Sequence, residues 1–171
     1  MTIRRRWRHA LLIITLLLAL SAALGGCGPT PPQELTYTLV ESGNTDAWAS
    51  DGPGLLAVAG PDDIATVAPY LSPQASVTLE TLDYTREFAL LILRGRDGRV
   101  PAQEPIRRIV WWGNVVTVQM QLGEEAAAAP AGSPYTLARV EKGAHWGGAH
   151  TLRLVTPGAA ENVLTQLRTI P

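Results

Sequence analysis

Apolar and polar residues alternate with period two in several short windows of this 171-residue chain, and the places where that period breaks are as informative as the places where it holds. Leu35, Tyr37 and Leu39 alternate with Thr36 and Thr38, which predicts a strand over residues 35–40. A stretch rich in Ser, Asn, Asp and Gly over 42–54 reads as a loop, and residues 55–59 as a short apolar strand closed by Gly60-Pro61. Pro61 at a first helical position, Asp62 and Asp63 in the first turn, and Ile64, Val67, Ala68 and Leu71 at helical spacing predict a brief amphipathic helix ending before Pro73. Residues 88–93 are apolar without interruption, short enough for a strand buried on both faces, and they are the expected central strand.

Two further runs, 106–112 and 115–122, flank Gly113-Asn114. Glycine at the first central position suits a type II′ turn, which sets the register of a hairpin with Trp112 opposite Val115 and Trp111 opposite Val116. One face then carries Ile109, Trp111, Val116, Val118 and Met120, and the other, more polar, carries Ile106, Arg108, Val110, Trp112, Val115, Thr117 and Gln119. Trp111 is therefore expected in the core and Trp112 near solvent. An Ala-rich connection over 123–134 leads to strands at 135–142 and 151–155, joined by a glycine-rich hairpin loop over 143–150. Val163, Leu164 and Leu167 fall at helical spacing and predict a closing helix over 159–168. The expected fold class is α+β: a mainly antiparallel β-sheet with one short helix after the second strand and a C-terminal helix.

The first 27 residues follow a different logic. Arg4, Arg5, Arg6 and Arg8 precede an apolar segment over 10–24 and the sequence Leu24-Gly25-Gly26-Cys27. This is the order of a bacterial lipoprotein signal: charged start, short apolar stretch, small residues, cysteine. Cleavage is expected between Gly26 and Cys27, with acyl chains on the Cys27 thiol that attach the protein to a membrane in the cell envelope, on the extracytoplasmic side. The other readings are a retained anchor or an ordinary signal peptide, but the apolar segment is shorter than the roughly 20 residues a transmembrane helix needs. Residues 27–33, with Pro29, Pro31 and Pro32, read as a lipidated tether, and 34–171 as a single domain.

Cys27 is the only cysteine, so the exported domain is held without disulfides and has no thiolate chemistry. Removing the four arginines leaves 10 Lys and Arg against 15 Asp and Glu, a net charge of −5, which offers no basic stripe for nucleic acid. Among candidate chemical groups, His145 and His150 flank Trp146-Gly147-Gly148-Ala149. A spacing of five lets two imidazoles meet in a loop around a transition metal, but no Cys, Asp or Glu stands between them, and solvated loop histidines are the plainer reading. Ser133 is followed by Pro134, which removes a backbone N–H often used as an oxyanion donor, and no G-x-S-x-G, S-x-x-K or H-E-x-x-H motif occurs. The paired acids Asp62-Asp63 are explained by a helix start. Arg94, Arg96 and Arg99 form a candidate anion-binding group, or else a solvated turn. Trp112, Trp146, Trp48 and Tyr135 are candidate partner-binding aromatics, or lids on the core.

One stretch resembles a known family. Leu82-Asp83-Tyr84-Thr85-Arg86-Glu87, the apolar strand that follows with Gly95 beyond it, the paired strands over 106–122, and Ser133-Pro134-Tyr135 before a last strand are similar to the C-terminal domain of PrcB-type protease-complex lipoproteins. The match covers residues 82–142. That family often has Thr-Gly-Gly-Tyr after the glycine, where this chain has Arg96-Asp97-Gly98-Arg99. The resemblance implies a role in stabilising a protease complex and no catalytic residue. The expected function is thus a membrane-anchored, non-enzymatic protein-binding or complex-stabilising module with no cofactor and a protein partner, for which the resemblance points to an extracytoplasmic protease. The alternative is a small extracytoplasmic hydrolase or metal-binding protein using His145 and His150. A solute-binding lipoprotein is a third reading, for which 145 mature residues are short of the usual two lobes.

Overall fold

A computed structural model of the protein describes residues 31–95, 105–121, 132–143, 146–156 and 163–171. The chain divides into two compact units, Met1–Pro31 and Pro32–Pro171, and the second carries the fold. Its strands are β1 (Gln33–Leu35), β2 (Tyr37–Thr45), β3 (Gly54–Val58), β4 (Glu87–Leu93), β5 (Ile106–Trp112), β6 (Val115–Met120), β7 (Ser133–Glu141), β8 (Ala149–Val155) and β9 (Val163–Thr169). Between β3 and β4 lie a one-turn helix α1 (Ile64–Val67), flanked by 3-10 turns at Pro61–Asp63 and Ala68–Tyr70, and a helix α2 (Pro73–Glu80).

The strands form two sheets, one of five in the order β1-β5-β6-β8-β9 and one of four in the order β2-β7-β4-β3. They bury a common core from Leu90, Ile92, Ile109, Val118, Ala138, Val140, Leu152 and Leu154. The helical segment covers the other face of the four-stranded sheet, where Val67, Ala75 and Leu79 meet Ala89, Leu91, Leu93 and Leu137. This three-layer arrangement explains why β4 has no polar alternation: it lies between β7 and β3 and is apolar on both faces, as its sequence predicts.

The α+β expectation is corrected: the fold is mainly β, in two sheets, with no C-terminal helix among the described residues. Residues 163–168 of the segment expected as a closing helix belong to β9, antiparallel to β8, and 159–162 lie outside the described residues. Its Val163, Thr165 and Thr169 are β-branched, which disfavours helix, and β8 offers an unpaired edge that only strand geometry satisfies. The helix expected before Pro73 is split around Pro69, while Pro73 starts a second helix rather than stopping the first. Ser72 is the cap: its Oγ accepts from the Ala75 N–H at 3.1 Å. Residues 42–45, expected in a loop, extend β2, because pairing with Ser133–Thr136 satisfies their backbone.

The hairpin register of β5 and β6 is as the turn predicts, with Trp111 opposite Val116 and Trp112 opposite Val115. Gly113 has φ 59° and no described non-glycine residue has positive φ, so only the first central residue of the turn is left-handed, which is type II′. One residue departs from the expected faces. The register shifts between Ile106 and Arg108, and this bulge returns Ile106 to the core while Arg107 and Arg108 are both exposed. The connection from β7 to β8 is not a hairpin either: it passes between sheets, and β8 pairs in parallel with β6.

Candidate functional site

A concave site lies at one end of the sandwich, where β4 begins and β7 ends. Alternation along β7 places Ala138, Val140 and Lys142 on one side, so that Lys142 arrives at the rim of the core. A cleft of about 580 Å³ opens there, lined by Asp83, Arg86, Glu87, Glu141, Lys142 and Trp146 among others. The Lys142 ammonium donates to the Tyr84 carbonyl at 2.7 Å and to the carbonyl of Pro171. Burial pulls its pKa below the ordinary value, against the opposing charge of Asp83. Asp83 accepts from the Thr85 N–H at 3.0 Å and its hydroxyl at 2.6 Å, and these bonds hold its carboxyl low. Burial, with the charge of Asp63 adding to it, pushes the Tyr84 phenol up to about 12. The cleft therefore presents both charge signs, fixed by bonds to backbone.

Behind it stands an aromatic stack. Trp146 lies 5.1 Å from Phe88 at an interplanar angle of 27° and 4.1 Å from His150 at 7°, with Trp111 5.2 Å away and tilted by 49°. Gly143 allows this closeness, since a Cβ there would stand 2.7 Å from the Trp111 ring. His150 Nδ1 lies 3.1 Å from the Gly148 carbonyl. A carbonyl only accepts, so Nδ1 carries the hydrogen. That carbonyl also receives the Ile170 N–H at 3.2 Å. Burial, with the Lys142 charge adding, keeps the imidazole pKa below 6.5 against the Gly148 bond, so the ring is neutral at pH 7.

The expectation of solvated loop histidines is therefore corrected at His150, which is the second residue of β8 and only 2% exposed. The signal was present: His150, Leu152 and Leu154 alternate, and starting the strand at Thr151 left the histidine out by one position. His145 lies outside the described residues, as do Cys27, Gly26, Arg96 and Arg99. Among the described residues no group of three His, Cys, Asp or Glu side chains is placed to hold a metal ion.

The remaining predicted residues disperse. Arg94, expected in an anion-binding group, is buried at 8% exposure, its N–H on the Pro134 carbonyl at 2.9 Å. Ser133 is fully buried, its Oγ accepting from the Gly95 N–H at 3.0 Å, which removes it as a surface nucleophile. Tyr135 belongs to the core between sheet and helices, so it is not a surface aromatic. Its hydroxyl donates to Glu41, which also accepts from the Ser72 hydroxyl at 2.5 Å. Burial acts to raise the Glu41 carboxyl, but the bonds from Ser72 and Tyr135 outweigh it and hold it below its usual value. Burial and the same carboxylate push the Tyr135 phenol up. Trp48 is half-buried, edge-on to Tyr70 at 5.8 Å, and donates to the Gly52 carbonyl at 3.0 Å. Trp112 alone of the four is open to solvent, at 57%.

Sequence reasoning missed the Glu41–Ser72–Tyr135 network and the Asp63–Arg168 ion pair, because each joins segments far apart in the chain. Asp63, read as a helix-start acid, instead accepts from the Ala59 N–H at 2.8 Å and pairs with Arg168 of β9. Comparison with known proteins brings no relative: no family model matches the chain, nor does any curated protein or solved structure.

Proposed function

We propose that the chain is an extracytoplasmic bacterial lipoprotein, held at a membrane by acyl chains on Cys27, whose domain is a non-enzymatic protein-binding module that stabilises a complex. The role is the one implied by the resemblance of residues 82–142 to PrcB-type lipoproteins, and it makes an extracytoplasmic protease the first partner to seek. The observation that carries the binding reading is the free edge of β2. This strand runs for nine residues and pairs on one side only, with β7, among the described residues. Leu39 on it is 39% exposed, and Thr38, Ser42 and Asn44 are exposed as well. Edge strands are often blunted by lysine, proline or a bulge; β2 has no lysine or proline, and its register shift is confined to the step between Leu39 and Glu41. Such an edge accepts an extended segment of another protein as an added strand, with backbone bonds giving affinity and exposed side chains giving choice.

Two experiments test this. Cys27→Ser should accumulate as unprocessed precursor without acyl label, and an unmodified Cys27 thiol in the mature protein would remove the anchor. Extraction in mild detergent should co-purify a defined partner with the wild type and lose it with Leu39→Lys, which places a charge on the edge without touching the core. Retention of the same partner by Leu39→Lys would refute binding through β2.

A further inference from the structure

We infer that the outer face of the five-stranded sheet lies on the anionic headgroup surface of the bilayer that receives the Cys27 lipid, with Trp112 as its interfacial anchor. The inference rests on the lipid-anchor reading above. That face is the side turned away from the sandwich core, and the described helices pack on the other sheet. Alternation brings Arg108, Val110 and Trp112 of β5, Val115 and Thr117 of β6, and Arg153 of β8 to it, since their neighbours Ile109, Val116, Val118, Leu152 and Leu154 are buried in the core. Trp112 is the most exposed large apolar residue described. Arg108 and Arg153 are exposed, and Glu34 is the only acid on the described part of the face. In a mature chain of net charge −5, a sheet face on which arginine outnumbers carboxylate is a local reversal of sign.

The length of the tether sets what this face can meet. Cys27 precedes Gln33 by six positions, so even a fully extended chain spans only about 20 Å, less than the roughly 35–40 Å diameter of a domain this size. Gln33 is the first residue of β1 and pairs directly with Trp111, the neighbour of Trp112. The chain therefore leaves toward its lipid from the sheet, and the end of the sheet, that carry the exposed tryptophan. Tryptophan favours the headgroup region, where its ring is half in hydrocarbon and its N–H is solvated, and arginine is drawn to anionic lipid. An apolar and cationic face tethered this close to an anionic surface has a partner of matching chemistry within reach, and docking there leaves the β2 edge of the opposite sheet free.

The test uses the full lipidated protein in vesicles containing 30% phosphatidylglycerol, with bromine-labelled acyl chains that quench tryptophan only within the bilayer. Wild type should co-float with the vesicles and show quenching that falls by at least half in Trp112→Leu. Arg108→Gln with Arg153→Gln should bring it toward the value seen on phosphatidylcholine alone, with docking weakened about five-fold for each arginine. Co-flotation with unquenched emission overturns the docking and leaves the anchor standing, whereas loss of co-flotation overturns both. Equal quenching in Trp112→Leu and wild type refutes the role of Trp112, and shielding of Trp112 by a co-purified protein in place of lipid assigns the face to that partner instead.

Discussion

Acidification from pH 7 to pH 5 is expected to destabilise the fold through His150. The ring is 2% exposed, stacked on Trp146, and its Nδ1–H is committed to the Gly148 carbonyl. Burial holds its folded-state pKa below the ordinary 6.5, so between those two values the unfolded chain binds a proton that the folded chain refuses. Stability then rises with pH across that window: the contribution is full above 6.5 and is lost as the pH falls from 6.5 towards the folded-state pKa. For one proton the loss approaches about 1.4 kcal/mol per pH unit, a large fraction of a total that is typically 5–15 kcal/mol. Urea denaturation at half-unit steps should show the midpoint falling as the pH drops below 6.5, by at most about 0.7 M per pH unit at an ordinary slope of about 2 kcal/mol per M. His150→Phe keeps an aromatic ring against Trp146 and leaves the Gly148 carbonyl its bond from Ile170, so this variant should be nearly flat from 6.5 to 5. Glu41 and Asp83 also have lowered pKa values, but they belong to the carboxylate range and act below this window. An unchanged slope in His150→Phe would refute the assignment, and a flat wild type would mean the imidazole is solvated.

Trp111→Ala should cost about 3 kcal/mol by thermal melt, since it opens a cavity beside Phe88 and Trp146, whereas Trp112→Ala should stay within about 0.5 kcal/mol. Equal losses in the two would mean the hairpin register is wrong. Tyr135→Phe removes the donor to Glu41 inside the helix-covered core and should cost about 1–3 kcal/mol, with the Glu41 pKa, read by carboxylate NMR, moving back up. Gly143→Ala places a methyl 2.7 Å from the Trp111 ring and should lower stability by about 1–3 kcal/mol while changing near-ultraviolet tryptophan ellipticity.

What the sequence determined by itself was local. The apolar run of β4 announced a strand buried on both faces, and glycine before asparagine set the turn and hence the pairing that turned Trp111 inward and Trp112 outward. The residue order around Cys27 on which the lipid-anchor proposal rests is equally a matter of adjacent residues. Tertiary structure decided whatever needed a partner distant in the chain. Residues 163–169 have some helical spacing, but strand β8 supplied the backbone bonds that made them β9. β7 did the same for the polar end of β2. The cleft joins the start of β4 to the end of β7, and its aromatic wall brings together Phe88, Trp111 and the Trp146–His150 segment from three separate stretches. Tyr135 and Arg94 look like surface groups in sequence and are buried in the fold, Tyr135 because a helical layer covers it. Period-two alternation says which residues share a face, but only the packing of sheet on sheet and helix on sheet says which face meets water.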